Sequence, residues 1–377
     1  MAKWSELPSE ILYSISLSMN NPFDLIHFRS VCSFWRSSSL LKFRPKTPLR
    51  CPPPLDSGGC GDDCHILRSR IYLVKSSDRN GPPRYWLFKQ LDKENGDIVL
   101  HNLFMRRNSS GYRCLFPTFS LDLLSCQVFE LVQEHIACFS EWSEIFECVW
   151  KGEVRIGFMS LKAENNEFMV LGHLTFTTPD ITMYRSIDRC WTDLKIAQPD
   201  AYLEGIVSYK SKFYAIDRTG RTIVVEPTLE VTTFQRSRPC DKTRKRWLLN
   251  SGDKLLLVEL CTESRYDFVI PNVREKNIWF EVSELDVERH DWNQVEDVDG
   301  RVLFLENIFS FSCLATEIQG FRANSIIFLN LWVRDKRDES ILVYEFDEHG
   351  VRSLEDIPEY VKLFPSPPGW VISNARS

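Results

Sequence analysis

The chain has 377 residues, 43% hydrophobic and 26% charged, which is ordinary for a globular protein and long enough for more than one domain. A net charge of −6 supplies no broad basic field, and nucleic-acid binding rests on neutralising phosphates, so no nucleic-acid partner is expected. No run of about 18 apolar residues occurs, so no membrane-spanning segment is expected either.

The first element falls in "KWSELPSEILYSISLSM", residues 3–19. Leu7, Ile11, Leu12, Ile15 and Met19 recur with helical period and predict one apolar stripe. Pro8 suits a first-turn position, where its missing N–H has no partner to lose, and Glu10 suits the positive end of the helix dipole. Ser5, Glu6, Ser9 and Glu10 interrupt any apolar run, so no secretory signal is expected. The chain is therefore expected in the nucleus and/or cytoplasm, not secreted, with its twelve cysteines reduced.

Residues 22–39, "PFDLIHFRSVCSFWRSSS", carry a second helical pattern. Asp24 is the expected cap, and Leu25, Phe28, Val31, Cys32 and Trp35 fall on one face. Next comes "RPKTPLRCPPPLDSGG", residues 44–59, whose five prolines and two glycines resist helix and sheet and read as an extended spacer. The expected division is a helical module over 1–44, a Pro/Gly-rich linker over 45–64 and a β domain over 65–377.

Beyond the spacer, short β-type runs alternate with turn residues. "LEGIVSYKSKFYAIDRTGRTIVVE", residues 203–226, reads as a three-stranded meander with turns at 209–211 and 218–220. "RWLLNSGDKLLLVEL", residues 246–260, reads as a hairpin turning at Ser251-Gly252-Asp253. "TRKRW", residues 243–247, is expected to be a solvated loop, with an import signal as the alternative. "DVERHDWNQVEDVDG", residues 286–300, reads as a turn-rich connection without calcium-loop spacing. Trp142, Trp191 and Trp292 stand about one and two periods of 50 residues apart, the spacing of a kelch-type propeller blade, with a β-sandwich pair or another all-β arrangement as the alternative.

A module of about 40 residues buries too little surface to fold alone without a metal, a disulfide or a partner. Two apolar helix faces followed by a spacer thus point either to docking on another protein or to packing on the chain's own β domain. "LPSEILYSI" followed by "DLIHFRSVCSFWR" resembles an F-box, the module that docks on Skp-type adaptors in cullin-based ubiquitin ligases. "DVDGRVLFLENIFSFSC" and "KLFPSPPGWV" are similar to plant F-box proteins with a kelch-related propeller. The resemblance implies a small all-α F-box module followed by a mainly-β, kelch-like β-propeller. It implies a Skp-type adaptor as partner, with a cullin and a RING subunit reached through it, and an unidentified protein substrate on the β domain. Leu7, Pro8, Ile11, Leu12, Ile15, Leu25, Val31, Cys32 and Trp35 are the expected adaptor-binding residues. Some of them must instead form the module's own small core, and the sequence does not divide the two sets.

Enzyme signatures are sparse. There is no Gly-x-Ser-x-Gly elbow, His-Glu-x-x-His or phosphate-binding Gly-x-x-x-x-Gly-Lys, and the seven histidines are dispersed. Cys60, Cys64 and His65 in "CGDDCH", with Cys51 upstream, form the single cluster with metal-ligand character, yet no second ligand pair follows at finger spacing. It reads more simply as a polar linker end. No cofactor, metal or catalytic residue is expected, and the alternative to a ligase subunit is a cullin-independent scaffold or a ligand-binding propeller.

Overall fold

The structure, a computed structural model, describes residues 6–19, 21–41, 49–52, 64–76, 85–92, 98–102, 126–139, 153–162, 167–172, 181–194, 196, 203–237, 243–262, 278–306, 310–318, 320–329 and 341–363. Three short helices lead: α1 (Ser9–Ser18), α2 (Pro22–Ser30) and α3 (Ser33–Ser37). Pro8 precedes α1 as its N-cap instead of sitting in the first turn. The cap of α2 is Asn21, whose side chain accepts a hydrogen bond from the Phe23 amide at 2.9 Å, and Asp24 lies inside the first turn. The expected single helix over 22–39 is broken at Val31–Cys32. Cys32 takes an extended backbone (φ −162°), and its sulfur accepts from the Trp35 amide to start α3.

Five sheets follow, arranged as the blades of a propeller. The first contains β1 (Leu49–Cys51), β2 (Cys64–Ser76), β3 (Tyr85–Asp92), β4 (Ile98–Asn102), β5 (Cys126–Phe139) and β6 (Glu153–Arg155). β1 corrects the expectation for the spacer, since three of its residues pair antiparallel with Cys64–Ile66. Cys64 and His65 are likewise buried in β2 and are not a polar linker end, whereas Cys60 lies outside the described residues.

The second blade is β7 (Gly157–Lys162), β8 (Glu167–Gly172), β9 (Ile181–Arg185) and β10 (Cys190–Leu194). The third is β11 (Leu203–Tyr209), β12 (Lys212–Asp217), β13 (Arg221–Val225) and β14 (Val231–Gln235), so the predicted meander carries a fourth strand. The fourth is β15 (Thr243–Ser251), β16 (Lys254–Thr262), β17 (Ile278–Asp286) and β18 (Asp291–Val295). "TRKRW" is thus the start of β15 and not a solvated loop. Arg246 is buried, cross-strand from Glu259, and Trp247 is sealed in the core. Most of 286–300 is likewise ordered as the end of β17, a turn, β18 and a second turn.

The fifth blade is β19 (Arg301–Leu305), β20 (Ser310–Leu314), β21 (Ser325–Leu329), β22 (Ile341–Glu345) and β23 (Gly350–Ser353), with β19 and β21 parallel. Among the described residues each blade is one contiguous stretch of chain, and no strand is shared where the ring closes. Closure rests on side chains instead: Ile71, Leu73, Tyr85 and Leu87 of the first blade pack on Val302, Phe304 and Phe311 of the fifth. Arg155 completes the joint, its Nη2 donating to the Leu248 carbonyl at 2.9 Å and to Ser310 Oγ at 2.7 Å.

The periodic tryptophans serve as inter-blade ties. Trp191 and Trp292 sit on β10 and β18, the last strands of the second and fourth blades. Trp191 donates its indole N–H to the Pro52 carbonyl beside the first blade at 2.6 Å, and Trp292 donates to Thr222 Oγ1 of the third at 2.8 Å. Trp142 lies outside the described residues.

Candidate docking surface

The helical module is built around a small interior. Leu12 and Ser16 of α1 face inward, with Pro22, Phe23, Leu25 and Phe28 of α2. Ser16 Oγ accepts from the Leu40 amide at 3.1 Å, pinning the chain that leaves α3 back onto α1. Arg29 does the same from α2, donating to the carbonyls of Arg36 and Leu40 at 3.1 and 2.6 Å. The rings of Phe28 and Trp35, 4.5 Å apart, hold α2 against α3.

One side of this module rests on the propeller. Phe23 is buried edge-on against Tyr72 of β2, with ring centroids 5.0 Å apart. Beside that contact burial raises the pKa of the Glu130 carboxyl; Arg70, 3.8 Å away, opposes the rise and Asp24 of α2 adds to it. Docking on another chain and packing on the chain's own β domain are therefore not exclusive, because the module has a second, uncovered side.

The expected docking residues separate into three groups. Leu12 and Leu25 are interior, at 0% and 3% exposure. Leu7, Ile15 and Trp35 are half-buried, and the Trp35 indole N–H is buried without a hydrogen-bond partner among the described residues. Pro8, Ile11, Val31 and Cys32 are exposed, with Ile11 at 47% and Val31 at 60%. Sequence reasoning missed Tyr13, Leu17, Phe34 and Leu41, all exposed apolar side chains of the same module. Phe34 could have been suspected from its place between Cys32 and Trp35, but a helix continuous through Val31 turned it away from the stripe.

Six of the nine large hydrophobic side chains exposed among the described residues (Ile11, Tyr13, Leu17, Val31, Phe34 and Leu41) thus fall within residues 11–41. Single exposed apolar residues need no explanation, whereas their concentration on one small element makes it the candidate docking surface. Among the described residues no group of three or more His, Cys, Asp or Glu side chains is placed to hold a metal ion. No described helix is long and apolar enough to cross a membrane.

Three short helices bearing uncovered apolar side chains, carried on a five-bladed propeller, define an F-box type of propeller protein. A family model described as the KIB1-4 beta-propeller matches residues 59–345, and the chain belongs to this family of plant F-box proteins with kelch-related propellers. It is 69% identical over 376 residues to an F-box/kelch-repeat protein of Arabidopsis thaliana, covering 99% of this chain and 100% of that one. It is 28% identical to the F-box protein SKIP23 of the same plant, covering 100% and 97% of the two chains. A further Arabidopsis F-box/kelch-repeat protein is 30% identical, covering 88% of this chain and 85% of its own.

Proposed function

We propose that the chain is a substrate receptor of a cullin-based ubiquitin ligase, with the helices as handle and the propeller as reader. The concentration of uncovered apolar side chains on the helical module carries this reading. The handle engages a Skp-type adaptor through Pro8, Ile11, Val31, Cys32 and Phe34, flanked by the half-buried Leu7, Ile15 and Trp35. Leu12 and Leu25 support the module from within. Each aliphatic side chain covered contributes about 1.5–3 kcal/mol. Association costs about 4–15 kcal/mol of rigid-body freedom, so tight binding needs most of the patch together. A cullin and a RING subunit join through the adaptor, and an unidentified protein target is held by the propeller, in the nucleus or cytoplasm.

The chain performs no chemistry in this scheme. Its contribution is proximity, because tethering a target beside a charged conjugating enzyme raises the effective concentration of the acceptor lysine. The division into a helical module over 1–44 and a reader over 65–377 is part of the proposal, with the stretch 45–64 between them tied to the reader through β1.

Co-purification from plant cells tests it. Tagged wild-type chain should recover both adaptor and cullin, and the Leu7→Ala/Pro8→Ala double variant should lose both while its β domain stays folded. Recovery of adaptor without cullin would point to a cullin-independent scaffold. Undiminished recovery of both by the double variant would contradict the proposed handle.

A further inference from the structure

Cys51 and Cys64 are directly opposed in the antiparallel ladder between β1 and β2. Both carry thiols, and both are buried, at 1% and 0% exposure. They share a core with Ile66, Ala137, Phe168 and Tyr184, where the first and second blades meet. Residues facing each other across an antiparallel pair have Cα atoms about 4.5–5.5 Å apart, within the span of about 4.4–6.8 Å that a disulfide bridges.

We propose that Cys51 and Cys64 are an oxidisable dithiol that closes to an intramolecular disulfide, fastening the segment after the helical module to the first blade. The co-reactant is a small disulfide such as oxidised glutathione. One protein thiolate attacks a sulfur of that disulfide and expels a glutathione thiolate, which takes up the proton released. The second protein thiol then displaces the remaining glutathione, so two protein S–H bonds and one S–S bond become one protein S–S bond and two glutathione thiols.

Strand release gates the reaction. Burial pushes the Cys51 thiol up to about 12 from an ordinary 9.0, so its neutral-pH thiolate fraction falls on the order of a thousandfold while β1 is docked. β1 itself is only three residues long and, among the described residues, pairs with β2 alone. A short edge strand of this kind opens locally at little cost, and the Trp191–Pro52 hydrogen bond is the latch that must also part. Once formed, the bond replaces a few reversible contacts with a covalent joint. The inference stands independently of what the helical module binds.

The full chain, folded and reduced, is treated with oxidised glutathione at mildly alkaline pH, alkylated and mapped by peptide mass. The expected product is a Cys51–Cys64 linkage lacking two hydrogens, with amide exchange at Arg50 and Cys51 slowed at least tenfold. Before oxidation, the buried Cys51 should alkylate more slowly than the exposed Cys190. Cys51→Ser should remove the linkage and leave Cys64 in the thiol form. The inference is overturned if both thiols survive a dose that glutathionylates Cys190, if either pairs with a different cysteine, or if the bond forms only in denaturant.

Discussion

Glu259 lies between two arginines, Arg236 from the end of the third blade and Arg246 from its cross-strand neighbour on β15. All three are buried, and Arg246 continues to Glu204 of β11 at 3.4 Å and to the Arg218 carbonyl at 2.9 Å. The network stitches the third blade to the fourth. Removing Glu259 leaves the two buried guanidiniums only their longer pairs, Arg246 with Glu204 and Arg236 with Glu281 at 3.6 Å, so Glu259→Ala should cost about 3 kcal/mol in denaturant unfolding. This pairing is also why "TRKRW" misleads as sequence: alternation puts Arg246 inside, but nothing local announces that its carboxylate comes from thirteen residues further along the chain. His135 shows burial acting on a single group. Desolvation first, then Arg68 and Arg70, lower its pKa to about 3 from 6.5, and its ring stacks on Phe158 at 3.7 Å. The folded chain thus keeps His135 neutral where the unfolded chain would bind a proton. Its contribution is complete above pH 6.5 and declines as pH falls from 6.5 towards 3. Unfolding measured across that window should show a shallower acid decline for His135→Phe, which keeps the ring but cannot titrate.

The elements were legible in the sequence wherever local chemistry and burial agreed. The β11–β13 meander and the β15–β16 hairpin fall within a few residues of their expected bounds, because β-branched and aromatic runs end at real turns, as at Gly252 with φ +65°. The α2–α3 break was not legible, since Cys32 looks like one more apolar position until its sulfur is seen capping α3. The handle's apolar side was read from periodicity, but its division into core and surface needed the interior contacts of Leu12 and Leu25. Blade packing also depends on a residue that composition undervalues. A Cβ at Gly205 of β11 would stand 2.8 Å from the Leu248 amide nitrogen of β15, and that neighbour is backbone, which cannot swing aside. Gly205→Ala should therefore lose about 1–3 kcal/mol on thermal or denaturant unfolding, the cost of overpacking a filled seam.

At the scale of the whole molecule, the number of blades lay beyond the sequence. Glycine pairs typical of kelch repeats do not recur, and the first blade is built on two long strands, β2 and β5, unlike the four- and five-stranded units that follow. What the tryptophan period did mark is the last strand of alternate blades and its tie to the blade before. With the ring closed on itself and the helices seated by Phe23 on Tyr72, the exposed apolar side chains of the handle are the proposed seat of the adaptor. Calorimetric titration of the purified chain with a purified Skp-type adaptor tests this most directly. The account predicts that Ile11→Asp and Val31→Asp each weaken binding at least a hundredfold without changing thermal stability. Leu314→Asp, which charges an exposed apolar residue of the propeller, should bind as wild type. Equal affinity for all three variants, or weakening by Leu314→Asp alone, would contradict it.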